Sequence, residues 1–333
     1  MIAAWRRTIK RREFVALIGS AAVAQLFRPV ARAQEAGRTY QLGIIFGSSR
    51  ETPRIATFFD ELKLLGFVEG NNLNVVPGGF NLRNDQYAEY ARTLAKSNPD
   101  VIFGPNDHAA LAAKEATQTI PVVGFLSPNT VVMGVIRTFA RPGGNVTGVG
   151  TLSELDGKRQ ELLMKAVPDA SKIAILADPT FTYPAQLQVL EDAARAHGVE
   201  PRVFTAGKQA EIAPAMDKSK ASGATALNVL SGPLFSFNRR VVIERAAALR
   251  LPAIYEWPEM AEEGGLIAYG PRLPLMYRQA ARLVAKVLQG VKPQDIPVEL
   301  PSKFDLVINL ATAKALGLTI PESFLVRADK VIE

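Results

Sequence analysis

Six short stretches of this 333-residue chain concentrate side chains able to hold a small polar ligand. They are Gly47-Ser48-Ser49-Arg50, Gly104-Pro105-Asn106-Asp107-His108 and Leu126-Ser127-Pro128-Asn129 in the first half. The second half carries Ala177-Asp178-Pro179-Thr180-Phe181-Thr182-Tyr183, Ser231-Gly232-Pro233-Leu234-Phe235 and Tyr255-Glu256-Trp257-Pro258. Small hydroxyl and amide groups recur: Ser48, Ser49, Asn106, Ser127, Asn129, Thr180 and Ser231. Predicted helices start just behind them. At helix N-termini such side chains, with free backbone N–H groups, can donate to a carboxylate. Asp178 is the acidic candidate for a ligand amine. His108 offers a hydrogen-bonding ring. Tyr183, Phe235 and Trp257 offer aromatic surface, mainly from the second half. Together these groups suit a small ligand with a polar or anionic end and an apolar body.

Each stretch also has a purely structural reading. Asn106, Asp107 and Ser127 suit helix caps. Asp178 before Pro179 suits a turn. Phe235 and Trp257 suit core packing. His197 precedes Gly198 at a predicted helix end, where the dipole accounts for it. No catalytic signature competes. The chain lacks a G-x-S-x-G elbow, a Walker A loop and an H-E-x-x-H pair. Gly143-Gly144-Asn145-Val146-Thr147-Gly148 has the wrong spacing for a dinucleotide fingerprint and reads as turn glycines. Cysteine is absent, which removes thiol nucleophiles and thiolate metal sites. Two separated histidines leave little for a metal centre. Neither a cofactor nor a metal is expected.

The elements that position these loops follow from hydrophobic patterning. Apolar runs at Gln41–Phe46, Leu73–Val76, Asp100–Phe103 and Pro121–Phe125 read as strands. Helical spacing covers Ile55–Leu65, Gln86–Lys96 and His108 to about Thr117. The rhythm restarts with strands at Lys172–Ala177, Glu200–Phe204, Ala224–Leu230 and Pro252–Tyr255. Their helices are Ala185–Ala196, Ile212–Lys220 and Phe237–Leu249. Such alternation predicts parallel sheets covered on both faces. The candidate loops then fall at the carboxyl ends of strands, where open α/β sheets bind ligands. The Gly- and Pro-rich pieces Arg141–Gly150 and Ala268–Pro271 read as crossings between two halves, and Leu275–Gln289 as a long amphipathic helix. The expected class is α/β, with two doubly wound Rossmann-like lobes joined by hinge crossings.

The net charge of +7 is concentrated at the N-terminus. Residues 1–33 hold seven basic side chains against Glu13, a local +6 that leaves +1 for the remainder. A near-neutral body does not predict nucleic-acid binding. Residues 1–33 read as an export signal. Lys10-Arg11-Arg12-Glu13-Phe14 precedes an uncharged run to Phe27, shorter than the ~20 residues of a membrane span. Ala31-Arg32-Ala33 is a small-x-small cleavage site. The Arg-Arg-x-Phe order is similar to a twin-arginine (Tat) signal; the general secretory route stays open. Cleavage near Ala33 is expected to leave a periplasmic protein with no stable membrane insertion.

Several ordered motifs carry a resemblance. They include Leu64-Leu-Gly-Phe-Val-Glu-Gly70, Ala109-Ala-Leu-Ala-Ala-Lys-Glu-Ala-Thr117, Ala140-Arg-Pro-Gly-Gly-Asn-Val-Thr-Gly148 and Gly157-Lys-Arg-Gln-Glu-Leu-Leu163. Gly265-Leu-Ile-Ala-Tyr-Gly-Pro271 and Phe304-Asp-Leu-Val-Ile-Asn-Leu-Ala-Thr-Ala-Lys-Ala-Leu-Gly317 continue the series. The chain resembles the ABC-transporter substrate-binding proteins of the periplasmic-binding-protein type I fold, in the branch with tryptophan- and tyrosine-type binding components. The resemblance implies capture of a small solute, an amino acid or an aromatic or carboxylate-bearing molecule, between two lobes. It implies delivery to a membrane permease with an ATPase partner, and no enzymatic turnover. Lobe boundaries are expected at 38–150 plus about 272–292, and 151–271 plus about 293–333. Two loops depart from the family pattern where ligand contacts are expected: Leu126-Ser127-Pro128 replaces a Gly-Asp-Pro-like turn, and Asp178-Pro179 replaces Asn-Pro. A sensory receptor domain for a chemoreceptor or kinase, and an exported α/β enzyme, are the alternative readings.

Overall fold

Strand β1 (Tyr40–Ile44) is apolar on both faces because helices cover both sides of its sheet. In a computed structural model describing residues 37–152 and 155–333, it pairs in parallel with β2 (Leu73–Val75) and β3 (Val101–Gly104). Parallel β4 (Val122–Leu126) and β5 (Val146–Gly150) complete the sheet, in the order β2-β1-β3-β4-β5. The helices are α1 (Pro53–Leu64), α2 (Tyr87–Lys96), α3 (Asp107–Ala116) and short α4 (Asn129–Val132). Pro53 opens α1, where its missing N–H costs nothing. Ile55, Phe58 and Leu62 form its buried face. The export-signal reading of residues 1–33 lies outside the described residues.

The second lobe repeats the plan. Helix α5 (Leu155–Ala166) leads to β6 (Lys172–Ala177), α6 (Pro184–Ala196), β7 (Glu200–Thr205), α7 (Gln209–Ala221) and β8 (Ala226–Val229). Then come α8 (Pro233–Phe237), α9 (Arg239–Ala248), β9 (Ala253–Tyr255), α10 (Pro258–Glu262) and β10 (Ile267–Gly270). Helix α11 (Leu273–Leu288) returns to the first sheet. Strand β11 (Asp305–Asn309), α12 (Leu310–Leu316), α13 (Glu322–Leu325) and β12 (Lys330–Ile332) finish the second. Its order is β12-β11-β10-β9-β8-β6-β7, parallel except for the β10–β11 pair. Both lobes are doubly wound α/β units, as the alternation predicts. Thr39–Glu333 forms one compact unit.

Helix α11 ties the site to the first core. Its Tyr277 ring lies 6.1 Å from Phe103 and 4.9 Å from Phe125, and Phe103 stacks on Phe58 of α1 at 4.4 Å. Such pairs add roughly 0.5–1.5 kcal/mol each beyond their burial. On the outer side Glu61 accepts from Arg278 at 3.1 Å and Arg282 at 2.7 Å. Burial opposes the Glu61 charge, but the two guanidinium groups hold its carboxyl below its usual range. Residues 296–300 also run along the first sheet. Thr147 donates to the Ile296 carbonyl at 2.7 Å, and the Glu299 N–H donates to Gly148 at 2.9 Å.

Two segments read as crossings are largely strand. Val146–Gly150 is β5, in full register with β4. Its glycines read as turns, yet Gly148 is needed for close approach: a Cβ there would meet the Gly124 carbonyl oxygen at 2.0 Å. Ile267–Gly270 is β10, and the crossing begins at Pro271. Strands β11 and β12 were not anticipated, because a Pro-rich approach and short length hide them.

Candidate functional site

The carboxyl ends of β3 and β4 face those of β8 and β9 across a cavity of about 80 Å³. That is several times the ~10–15 Å³ that admits one water. Both lobes contribute walls, as does α11.

In the first wall, Asn106 caps α3 by accepting from the Ala109 N–H at 2.8 Å. Its amide also reaches Tyr87 Oη at 3.4 Å. Asp107 accepts from the Ser127 N–H at 2.8 Å and from the Ser127 hydroxyl. Burial pushes the Asp107 carboxyl up, against the pull of these two donors. Ser127 Oγ in turn accepts from the Asn129 N–H at 3.2 Å. This lattice fixes the loops after β3 and β4 against each other. Asn106, Asp107, Ser127 and Asn129 all line the cavity.

The second wall stands on a buried ion pair. Arg159 donates to Asp156 one turn earlier on α5, to Ser231 Oγ, and to the Tyr269 carbonyl at 3.1 Å. Ser231 donates to Asp156 Oδ1 through its N–H and its hydroxyl, each at 3.1 Å. Gln186 of α6 donates to the other oxygen of Asp156. Neither Asp156 nor Arg159 has any exposed surface. Glu256 lies beside them, its carboxyl pushed up to about 7 by burial, against the pull of Arg159, Ser231 and the Gly232 N–H. Ser231, Gly232, Glu256, Trp257 and Gln186 line this side.

Arg54, on the first turn of α1, also lines the cavity. It is 7% exposed, and its Nε has no partner. Among the described residues its hydrogen bonding is limited to a 3.4 Å contact from Nη1 to Ser236 Oγ. Among the described residues no carboxylate forms an ion pair with it, and Glu263 acts on it only through its field. Its guanidinium rests over Phe237 at 4.9 Å and Phe46 at 5.7 Å. Such contacts contribute roughly 0.5–2 kcal/mol. Burying an unpaired ion costs on the order of several kcal/mol. Burial accordingly pushes the guanidinium down from its usual range. Trp257, in the same lining, is 6% exposed, and its indole Nε1 also lacks a partner among the described residues. Phe125, Phe181, Phe237, Leu273 and Tyr277 supply apolar surface.

Of the predicted site residues, Asn106, Ser127, Asn129, Ser231 and Trp257 line the cavity. Seven do not. Ser48 lies in the loop after β1, its carbonyl accepting from the Asn81 N–H, and Ser49 donates to Glu51 while its carbonyl accepts from Thr52, the residue before α1. Asp178 accepts from the Thr180 N–H at 2.9 Å and hydroxyl at 2.7 Å, closing its own turn. His108 and Thr180 meet each other at the rim, with Nε2 3.2 Å from the Thr180 carbonyl. Tyr183 precedes the first turn of α6. Phe235 is core, 2% exposed. Sequence reasoning missed Arg54, whose signal was a cation in a helix first turn, against the dipole. It also missed Tyr277 and Leu273, which only the return of α11 brings to the site. Among the described residues no cluster of His, Cys, Asp or Glu could hold a metal, and no helix is long and apolar enough to cross a membrane.

The family model for ABC transporter substrate binding protein matches residues 53–332. A tyrosine-binding protein from Clostridioides difficile is 26% identical over 265 residues, covering 78% of this chain and 75% of its own. A crystal structure of a conserved domain protein from Vibrio cholerae shares 26% identity at a TM-score of 0.79, covering 88% of this chain and all of that one. An ABC domain from Streptococcus pneumonia, in complex with L-Trp, shares 23% identity at 0.75, covering 87% and 100%. The fold is that of the type I periplasmic binding proteins.

Proposed function

The chain belongs to the ABC transporter substrate-binding protein family, and from that premise we propose that it is the periplasmic solute receptor of an importer. It captures a small molecule, an amino acid or an aromatic or carboxylate-bearing solute, and delivers it to a membrane permease driven by an ATPase. It binds without turnover. The observation that carries this reading is the cavity, walled by both lobes and fitted with polar groups among aromatic rings. Binding shifts an equilibrium between open and closed lobes. Asn106, Ser127 and Asn129 hold the solute on one side, Ser231 and Trp257 on the other. The lobes divide at 150 and 272, with 293–300 joining the first lobe through its hydrogen bonds to β5.

Mass spectrometry of small molecules released by denaturing the purified protein tests the reading. The expected result is a stoichiometric amino acid or aromatic acid that, added back, raises the melting temperature. Chemical conversion of that molecule by the native protein would overturn it.

A further inference from the structure

We infer that the solute is an aromatic acid whose carboxylate pairs with Arg54 and Trp257 Nε1, and that the site favours this class over the corresponding α-amino acids. The inference rests on the receptor reading. It starts from a hydrogen-bond imbalance. Among the described residues, the cavity's two buried side-chain atoms without partners, Arg54 Nε and Trp257 Nε1, are both donors. Arg54 brings a positive charge that among the described residues makes no ion pair, Glu263 acting on it only through its field, and its one hydrogen bond is the 3.4 Å contact to Ser236 Oγ. A planar carboxylate answers both groups, since guanidinium binds it through parallel N–H bonds.

The acceptors of the site are differently disposed. An α-amino acid also carries an ammonium group, which needs an ionised oxygen with free lone pairs. Asp107 already gives one lone pair of each oxygen to Ser127, and burial disfavours its charged form. Glu256, raised by burial, keeps its proton up to about pH 7. Asp178, the acid expected to meet an amine, is turned into its own loop by Thr180. The unmet demand is therefore for negative charge. The aromatic part follows from Phe125, Phe181, Phe237 and Tyr277, which surround the cavity with ring surface.

Calorimetric titration of the purified protein with phenylacetate, phenylacetamide and L-phenylalanine, and with the matching indole series, tests this. The acid is expected to bind about tenfold to a hundredfold tighter than its amide. It should also bind tighter than the amino acid. Arg54→Gln should remove the preference for acid over amide. Trp257→Phe should weaken the acid several-fold, roughly the loss of one hydrogen bond, and should weaken it more than the amide, whose neutral oxygen accepts the weaker bond. The acid–amide comparison on the unaltered chain stands even if a variant fails to fold. Tighter binding of the amino acid, or equal binding of acid and amide, would overturn the inference and leave the receptor reading intact. Absence of binding by every compound, together with no small molecule released on denaturation, would remove both.

Discussion

His108 Nε2 lies 3.2 Å from the Thr180 carbonyl oxygen, joining α3 of the first lobe to the loop after β6 of the second. The carbonyl can only accept, so Nε2 carries the hydrogen. The ring also meets Phe181 edge-on at 4.6 Å. The contact exists only with the lobes together, so it stabilises the closed form. His108→Ala is expected to speed ligand release about twofold to tenfold, the equivalent of one neutral hydrogen bond. Stopped-flow dissociation measures this, and an unchanged rate would remove His108 from closure.

Glu256 gives the pH dependence a definite sign. Its folded value is about 7 against an ordinary 4.5. Between these pH values the folded state keeps a proton that the unfolded chain has released. Stability from this group is thus complete below about pH 4.5 and is lost as pH rises through 7. Asp107 and Asp178, raised mainly by burial, act in the same direction. Glu61 and Asp305, lowered by arginine and lysine partners, act in the opposite one. The Glu256 contribution is therefore read as a difference. Glu256→Gln should be the more stable protein at pH 8, by up to about 3 kcal/mol, with the gap closing toward pH 5. Parallel denaturation curves at both pH values would contradict this.

The legible part of this protein was its framework and the loops fixed by it. Runs such as Asp100–Phe103 and Lys172–Ala177 are, after their first residue, apolar on successive residues, the mark of strands buried on both faces. Once they are strands, Asn106, Ser127, Ser231 and Trp257 fall at their carboxyl ends and reach the cavity. The loop after β1 breaks the rule. Ser49 spends its hydroxyl on Glu51, Ser48 lies outside the cavity lining, and the chain first reaches the cavity at Arg54, inside α1. Tyr277 was missed although residues 272–292 were expected to return to the first lobe, because helical spacing alone does not tell which ring of α11 faces the cavity. Glycine obscured β5, because a residue poor in strand propensity marks close contact there rather than a turn.

The Asp156–Arg159 pair supports the second wall without itself lining the cavity. Both side chains are fully buried, so removing one leaves the other charge stranded. Asp156→Asn should cost about 3–5 kcal/mol. Asparagine keeps one acceptor oxygen but sets an NH2 against donors that both carboxylate oxygens now accept from, which loosens the Ser231 loop, so affinity should fall with stability. Urea denaturation with ligand titration checks both. A variant as stable as the parent would show that the pair is dispensable.

Gly270 is the remaining control point, because it sets the height of the Glu256 backbone. A Cβ at Gly270 would meet the Glu256 carbonyl oxygen at 2.0 Å. Neither atom can move freely: β10 is paired with β9 on one side and β11 on the other. Relief must come from shifting Glu256, which carries Trp257 with it. Gly270→Ala should therefore cost roughly 1–3 kcal/mol in stability and weaken ligand binding as well. Gly144→Ala is the matched control, since a Cβ there meets nothing within 4 Å. Thermal melts and titrations of both variants check the pair. If Gly270→Ala binds ligand like the parent, the β9 loop can yield without disturbing the site, and the second wall is softer than its buried ion pair implies.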